Sequence, residues 1–313
     1  MNNIQFGPFS GLSLEGRVAV IADEAVAARV GAEFIVPSGE ASKTREMKQF
    51  LENQLLEKGY GRDTTIVAVG GGVVTDLVGY LASTYMRGVP LILVPTTLLA
   101  MVDAAIGGKN GVNTPYGKNT IGTFYPPKTV LIDFEFLDTL LPHEWTNGRA
   151  EIIKLGLVWD ATLLEGLPIR QAIAAKIEIT ELDPQEKGLR RLLNFGHTIG
   201  HALELSQNYS IAHGKAVAMG CLAESWLSMH LGYLPPSEFA RVAELFPARL
   251  SFDREKVLQA MRLDKKAING IPRFVLIDQI GHAVEFDGDY CRTVKEEDLH
   301  ALFDWMEDSA LLT

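Results

Sequence analysis

The sequence predicts an α/β N-terminal domain built on a mainly parallel sheet, followed by an all-helical C-terminal domain. Three observations carry this prediction. Short apolar runs alternate with amphipathic segments through the first half of the chain, and strand–helix alternation implies a parallel sheet covered by helices. Near Pro142 the pattern changes to consecutive helix-period segments. The 313 residues exceed a comfortable single core, so two domains are expected, 1–141 and 142–313.

Taken in order, residues 17–22 (R-V-A-V-I-A) and 33–37 read as short buried strands. Residues 45–58 form an amphipathic helix that ends at Gly59. Residues 64–69 (T-T-I-V-A-V) are a strand running into Gly70, Gly71 and Gly72, and 73–86 are the helix that follows. Strands over 89–94 (V-P-L-I-L-V) and 129–133 complete the α/β half, with residues 103–119 between them read as a polar loop. The second half reads as helices over 144–160, 170–182, 186–205, 215–231, 237–245, 254–266 and 296–306, with one β-like interruption at 273–277. Ligand sites commonly form in the cleft between two such halves.

The net charge of −10 argues against non-specific binding to nucleic acid or to an anionic membrane, but leaves a small anionic ligand open. Two cysteines in unrelated contexts make neither a disulfide framework nor a zinc ribbon and fit a reducing cytoplasm. The opening M-N-N-I-Q-F-G-P-F-S lacks the basic start and apolar run of a signal peptide, and no apolar run approaches a membrane span.

Four stretches carry chemistry. Gly70-Gly71-Gly72 ends a strand and opens a helix, with Asp76 close behind. Glycine lets backbone approach a phosphate, and a helix N-terminus presents unused N–H groups to it. The spacing is not Gly-x-Gly-x-x-Gly, so a tight structural turn is the competing reading. The segment D-A-A-I-G-G-K-N-G-V-N-T-P-Y-G-K-N follows a buried strand and Pro95-Thr96-Thr97, and such positions deliver anion- or sugar-binding loops. Glu151 lies among apolar neighbours with Lys154 one turn on, which suits either a surface ion pair or a carboxylate that completes a metal site.

The fourth stretch, L-N-F-G-H-T-I-G-H-A-L-E, puts His197 and His201 on one helix face, one turn apart, and His213 follows in A-H-G-K-A-V-A-M-G. Spacing alone leaves two readings, a metal site or hydrogen-bonded core histidines. Lys176, Arg190, Asn194 and the pair Lys265-Lys266 add donors on the helices of the second half, each a solvated charge if taken singly and together a means of holding a small anion.

These stretches together resemble the 3-dehydroquinate synthases. The matching segments are G-G-G-V-V-T-D, S-T-Y-M-R-G-V, V-P-T-T-L-L-A-M-V-D, I-G-G-K-N-G-V-N, G-K-N-T-I-G, A-E-I-I-K-L-G-L, G-L-R-R-L-L-N-F-G-H-T-I-G-H-A-L-E, A-H-G-K-A-V-A-M-G and D-K-K, in the family's order from about Val36 to Gly281. The resemblance implies a Rossmann-like N-terminal domain, a helical metal-binding C-terminal domain, bound NAD, a divalent metal (zinc, with cobalt as the other choice) and a cytoplasmic homodimer. By matching position, it makes Glu151, His197 and His213 the metal ligands. It assigns NAD to Glu40, Lys43, Gly71, Gly72, Val73, Asp76, Thr96, Thr97, Lys118 and Thr139. It assigns substrate to Asp103, Lys109, Asn119, Lys154, Lys176, Arg190, Asn194, His201 and one or both of Lys265 and Lys266. Arg87 matches a phosphate-binding arginine that the family supplies from the partner subunit.

The implied reaction converts 3-deoxy-D-arabino-heptulosonate 7-phosphate to 3-dehydroquinate and phosphate. The alternatives are another sugar phosphate cyclase and a metal-dependent alcohol or polyol dehydrogenase. Two departures stand out: the segment between Lys154 and Lys176 is short for the family, and Asp23-Glu24-Ala25 lacks the asparagine often found near the adenosine.

Overall fold

The computed structural model describes residues 3–115, 117–166, 168–246, 251–262 and 271–310. The chain divides into two compact units, Met1–Gly148 and Arg149–Thr313.

The first unit is built on six strands: β1 (Ile4–Phe6), β2 (Arg17–Asp23), β3 (Phe34–Val36), β4 (Thr64–Gly70), β5 (Leu91–Pro95) and, after an intervening hairpin, β8 (Thr129–Ile132). They run in the order β1-β8-β5-β4-β2-β3, and every pairing is parallel. The continuous apolar run of β4 follows from its central place, where both faces are covered. Short α1 (Ala27–Val30), α2 (Arg45–Glu57) and α3 (Gly72–Thr84) connect these strands. The Thr44 hydroxyl accepts the Met47 N–H at 3.1 Å and starts α2. The apolar face of α3, with Val74, Leu77, Val78 and Leu81 wholly buried, packs on β4 and β5.

The reading of residues 103–119 as a loop is corrected. Ala100–Ala104 forms one widened helical turn, closed by the Ala105 N–H on the Ala100 carbonyl at 3.0 Å. An antiparallel hairpin follows, β6 (Lys109–Thr114) and β7 (Gly117–Phe124), packed on α3. Its glycines serve close approach rather than looseness. Gly111 pairs with Gly122 across the hairpin, and a Cβ at Gly79 on α3 would strike the Asn110 side chain.

The second unit contains most of α4 (Pro142–Val158), then α5 (Ile169–Leu182), α6 (His197–Ser206), α7 (His213–His230), α8 (Pro236–Leu245), α9 (Arg254–Arg262) and α10 (Glu296–Ala310). Two short antiparallel pairs interrupt the helices: β9 (Arg273–Phe274) with β12 (Arg292–Thr293), and β10 (Ile277–Gln279) with β11 (His282–Ala283). The core sits where α6, α7, α9 and α10 meet, around Leu203, Leu227, Phe274 and Phe303.

The single helix expected over 186–205 is broken in two. Leu189–Asn194 is a tight 3-10 turn, and α6 starts only at His197. The break is Gly196, held at φ 76° and so close to α7 that a Cβ would sit 2.5 Å from Cys221 Sγ.

Candidate active site

In the second unit three elements converge on one carboxylate. Glu151 of α4 is 1% exposed. Its Oε1 lies 3.4 Å from His197 Nε2 at the start of α6 and 3.3 Å from His213 Nε2 at the start of α7. One ligand atom from each of the three residues lies within 4.8 Å of the others. The two histidines can approach because α6 and α7 pack closely. A Cβ at Gly200 would meet the Ala216 carbonyl at 3.2 Å, and Gly220 faces the Gly196 carbonyl with no room for a side chain. The Phe195 carbonyl lies 3.0 Å from His197 Nδ1, which leaves Nε2 for a ligand.

The electrostatics suit a divalent cation. Burial works to raise the Glu151 carboxyl, but the Lys154 cation and His197 outweigh it and hold the group well below the usual range. Burial lowers His197, helped by the charge of Lys154. Burial would also lower His213, yet hydrogen bonds to Glu151 and Glu204 overcome it and push the imidazole up to about 10. A two-imidazole, one-carboxylate set, with Glu151 and His197 buried and His213 partly exposed, fits a zinc-type ion with positions left for substrate. His201 lies outside this set; its ring packs edge-on to His197, 5.0 Å between centroids.

Lys154 is 1% exposed and pairs with the second oxygen of Glu151. Lys176 on α5 and Arg190 on the 3-10 turn are also buried, and α5 packs against that turn. The turn is held from both sides. Asp183 accepts the N–H groups of Lys187, Gly188 and Arg190 at 3.0, 2.7 and 3.2 Å. Burial opposes ionisation of Asp183, but these three bonds win and lower its pKa. Arg190 donates to the Pro184 carbonyl at 3.0 Å, and Asn194 donates to Glu186 at 2.8 Å. On the far side, Asp289 accepts from Arg191 and Arg273, each at 2.5 Å.

In the first unit the C-terminal ends of β4 and β5 lie side by side, Gly70 opposite Pro95. The Thr96 N–H bonds the Gly70 carbonyl at 2.9 Å, and a Cβ at Gly71 would press on Thr97 at 3.2 Å. The bare turn Gly71-Gly72-Val73 opens α3, whose first N–H groups face away from the helix bonds. Lys43 pairs with Asp76 at 2.5 Å. Burial raises the Asp76 carboxyl above its ordinary value, opposed by Lys43 and reinforced by the charges of Glu40 and Asp103. Asn113 of β6 ties this region together. It donates to Glu40 at 2.6 Å, its backbone N–H bonds the Lys43 carbonyl, and its side-chain oxygen accepts the Asn119 N–H at 3.0 Å. A glycine turn at the C-terminal end of a parallel sheet, with polar groups gathered round it, fits the phosphates and ribose of a dinucleotide.

Other sequence-derived candidates are more scattered. Lys109 begins β6 and is exposed, Lys118 lies on β7, and Thr139 is exposed at the end of a 3-10 turn. Arg87 is exposed in a turn after α3, at φ 72°. Lys265 and Lys266 lie outside the described residues. Sequence reasoning missed Glu204, Asp183, Glu186 and Asn113. For Glu204 a signal was present: a carboxylate seven residues after His197 shares its helix face.

The fold and site place the chain in a class. It is similar to the solved 2-epi-5-epi-valiolone synthase of Streptomyces hygroscopicus, determined with NAD+ and Zn2+ bound, at TM-score 0.86 and 28% identity over 98% of this chain and 97% of that one. That class is the sugar phosphate cyclases. Within it, the family models described as 3-dehydroquinate synthase N-terminal and C-terminal match residues 33–147 and 148–267. The 3-dehydroquinate synthase of Pyrococcus furiosus is 44% identical over 265 residues, 80% of this chain and 79% of that protein. The chain belongs to the 3-dehydroquinate synthase family. It also matches the pentafunctional AROM polypeptide of Pneumocystis carinii at 39% identity over 302 residues, 80% of this chain but only 19% of that polypeptide's length. Among the described residues no helix is long and apolar enough to cross a membrane.

Proposed function

We propose that the chain converts 3-deoxy-D-arabino-heptulosonate 7-phosphate to 3-dehydroquinate and phosphate, with NAD and a divalent zinc or cobalt ion. The observation that carries this reading is the Glu151–His197–His213 cluster, built round a buried carboxylate with Lys154 paired to it, in a chain of this family. The first unit would bind the nucleotide, and the second would bind the metal and supply most of the substrate contacts. Glu151, His197 and His213 would hold the metal. Glu40, Lys43, Gly71, Gly72, Val73, Asp76, Thr96, Thr97, Lys118 and Thr139 would hold NAD. When bound, NAD supplies a hydride acceptor that is regenerated in each turnover, and the metal supplies Lewis acidity toward a substrate hydroxyl.

The chain's own residues bind and orient. Lys154, Lys176 and Arg190 supply charge-assisted donors for the substrate's phosphate and carboxylate, and their burial strengthens those bonds and fixes their direction. Asn194, Asn119, His201, Asp103 and Lys109 set the hydroxyl groups in place. Holding the sugar phosphate in a single conformation lowers the barrier to loss of its phosphate and to the later aldol closure of the carbocycle. Arg87 reaches the substrate phosphate of a second subunit in a cytoplasmic homodimer.

The test is phosphate release from the heptulosonate phosphate by protein supplied with NAD and zinc. Release without accumulation of NADH absorbance, abolished by a chelator and restored by zinc, is the expected outcome. Stoichiometric NADH formation would replace this reading with a dehydrogenase, and no phosphate release from loaded protein would refute it.

A further inference from the structure

His213 is gripped on both edges of its ring. Its Nε2 faces Glu151 at 3.3 Å, and its Nδ1 lies 3.4 Å from Oε1 of Glu204, a residue 1% exposed near the end of α6. His197, His201 and Glu204 stand at i, i+4 and i+7, so all three project from the same face of α6 toward the start of α7. The connection holds that arrangement: the Tyr209 N–H bonds the Glu204 carbonyl at 2.7 Å, and the turn delivers His213 four residues later. The imidazole ring stands between the two carboxylates, so Glu204 is placed to accept from Nδ1 while Nε2 points at Glu151.

We infer that Glu204 is the positioning residue of this centre: it keeps the His213 proton on Nδ1 and aims Nε2 at the metal. The inference rests on the reading of His213 as a ligand. A carboxylate behind a ligating imidazole fixes its tautomer and orientation and raises its basicity, and loss of such a partner typically weakens metal binding by about 10–100-fold. The location favours this role over that of a fourth ligand, because Oε1 of Glu204 is engaged at the ring edge opposite the cluster. His197 needs no such carboxylate, since the Phe195 carbonyl already faces its Nδ1.

The test measures zinc affinity of metal-free protein by competition with a chromophoric chelator, for the wild type, E204M, E204Q and H213A. E204M keeps the side-chain volume and removes the acceptor, so its affinity should fall by about 10–100-fold. E204Q keeps a carbonyl oxygen for Nδ1–H and should stay close to the wild type. If E204M binds zinc like the wild type while H213A does not, the positioning role is overturned and the ligand assignment stands. If H213A itself binds like the wild type, the ligand assignment falls and the inference falls with it. Long-range proton–nitrogen correlation on histidine-labelled, zinc-loaded wild type reads the tautomer without any variant. A His213 proton on Nδ1 supports the inference, and one on Nε2 overturns it.

Discussion

Gly196→Ala tests the link between the helix break and the metal centre. Gly196 sits at φ 76°, and a residue with a Cβ costs about 1–2 kcal/mol there. The added methyl would lie 2.5 Å from Cys221 Sγ, 2.7 Å from the Cys221 nitrogen and 3.0 Å from the Val217 carbonyl. Two of these are backbone atoms of α7, so relief requires α6 and α7 to separate. Overpacking of this kind costs about 1–3 kcal/mol. The two terms together give about 2–5 kcal/mol. Urea unfolding followed by tryptophan fluorescence reports on the affected unit, because Trp226 and Trp305 stack within it at 5.3 Å. Zinc affinity should fall as well, because the displaced residue is the immediate neighbour of His197. A variant within about 0.5 kcal/mol of the wild type, with unchanged zinc affinity, would refute the claim that α7 leaves no room for a Cβ here.

Two further substitutions address other contacts. Asp183→Ala removes the acceptor of three N–H groups in the segment that carries Arg190, at a cost of about 1–3 kcal/mol near neutral pH. The folded pKa of Asp183 is depressed below the usual 3.8, so its contribution is full above that value and is lost as pH falls through the lower folded value. The stability gap between wild type and variant should therefore close in strong acid; a gap independent of pH in urea titrations would contradict the assignment. Lys43→Met leaves Asp76 buried without its ammonium partner, and breaking such a pair costs about 3–5 kcal/mol unless the carboxyl takes a proton. Asp76, already raised by burial, should then protonate, and NAD affinity measured by fluorescence titration should drop. Unchanged NAD binding would remove Lys43 and Asp76 from the nucleotide site.

Local pattern was enough for the sheet and most of the helices. The apolar run of β4 and the amphipathic pattern of α2 follow from which atoms each element must bury, and that is written in consecutive residues. β1 escaped notice because three residues carry no period, and its strand character comes from pairing Ile4 with Val130. The hairpin over Lys109–Phe124 looked like a loop because its glycines and asparagines are turn formers. Their role appears only when Gly111 faces Gly122 and Asn110 meets Gly79.

Local patterning along the chain suffices for the alternating α/β half, the helical half, the glycine turn and the presence of a histidine-rich segment. The order of the motifs carries the resemblance to a family. Which groups share a centre was decided by tertiary structure. Glu151 and His213 are 62 positions apart, and only the close packing of α6 against α7 sets both histidines beside one carboxylate. The helical spacing of His197 and His201 suggests a pair, yet the Glu151 carboxylate lies with His197 and His213. Glu204 gains its meaning only because the start of α7 folds back over the end of α6. Periodicity along the chain reports which face a residue occupies; the partner on that face belongs to another segment, and contact is made only when both are buried together.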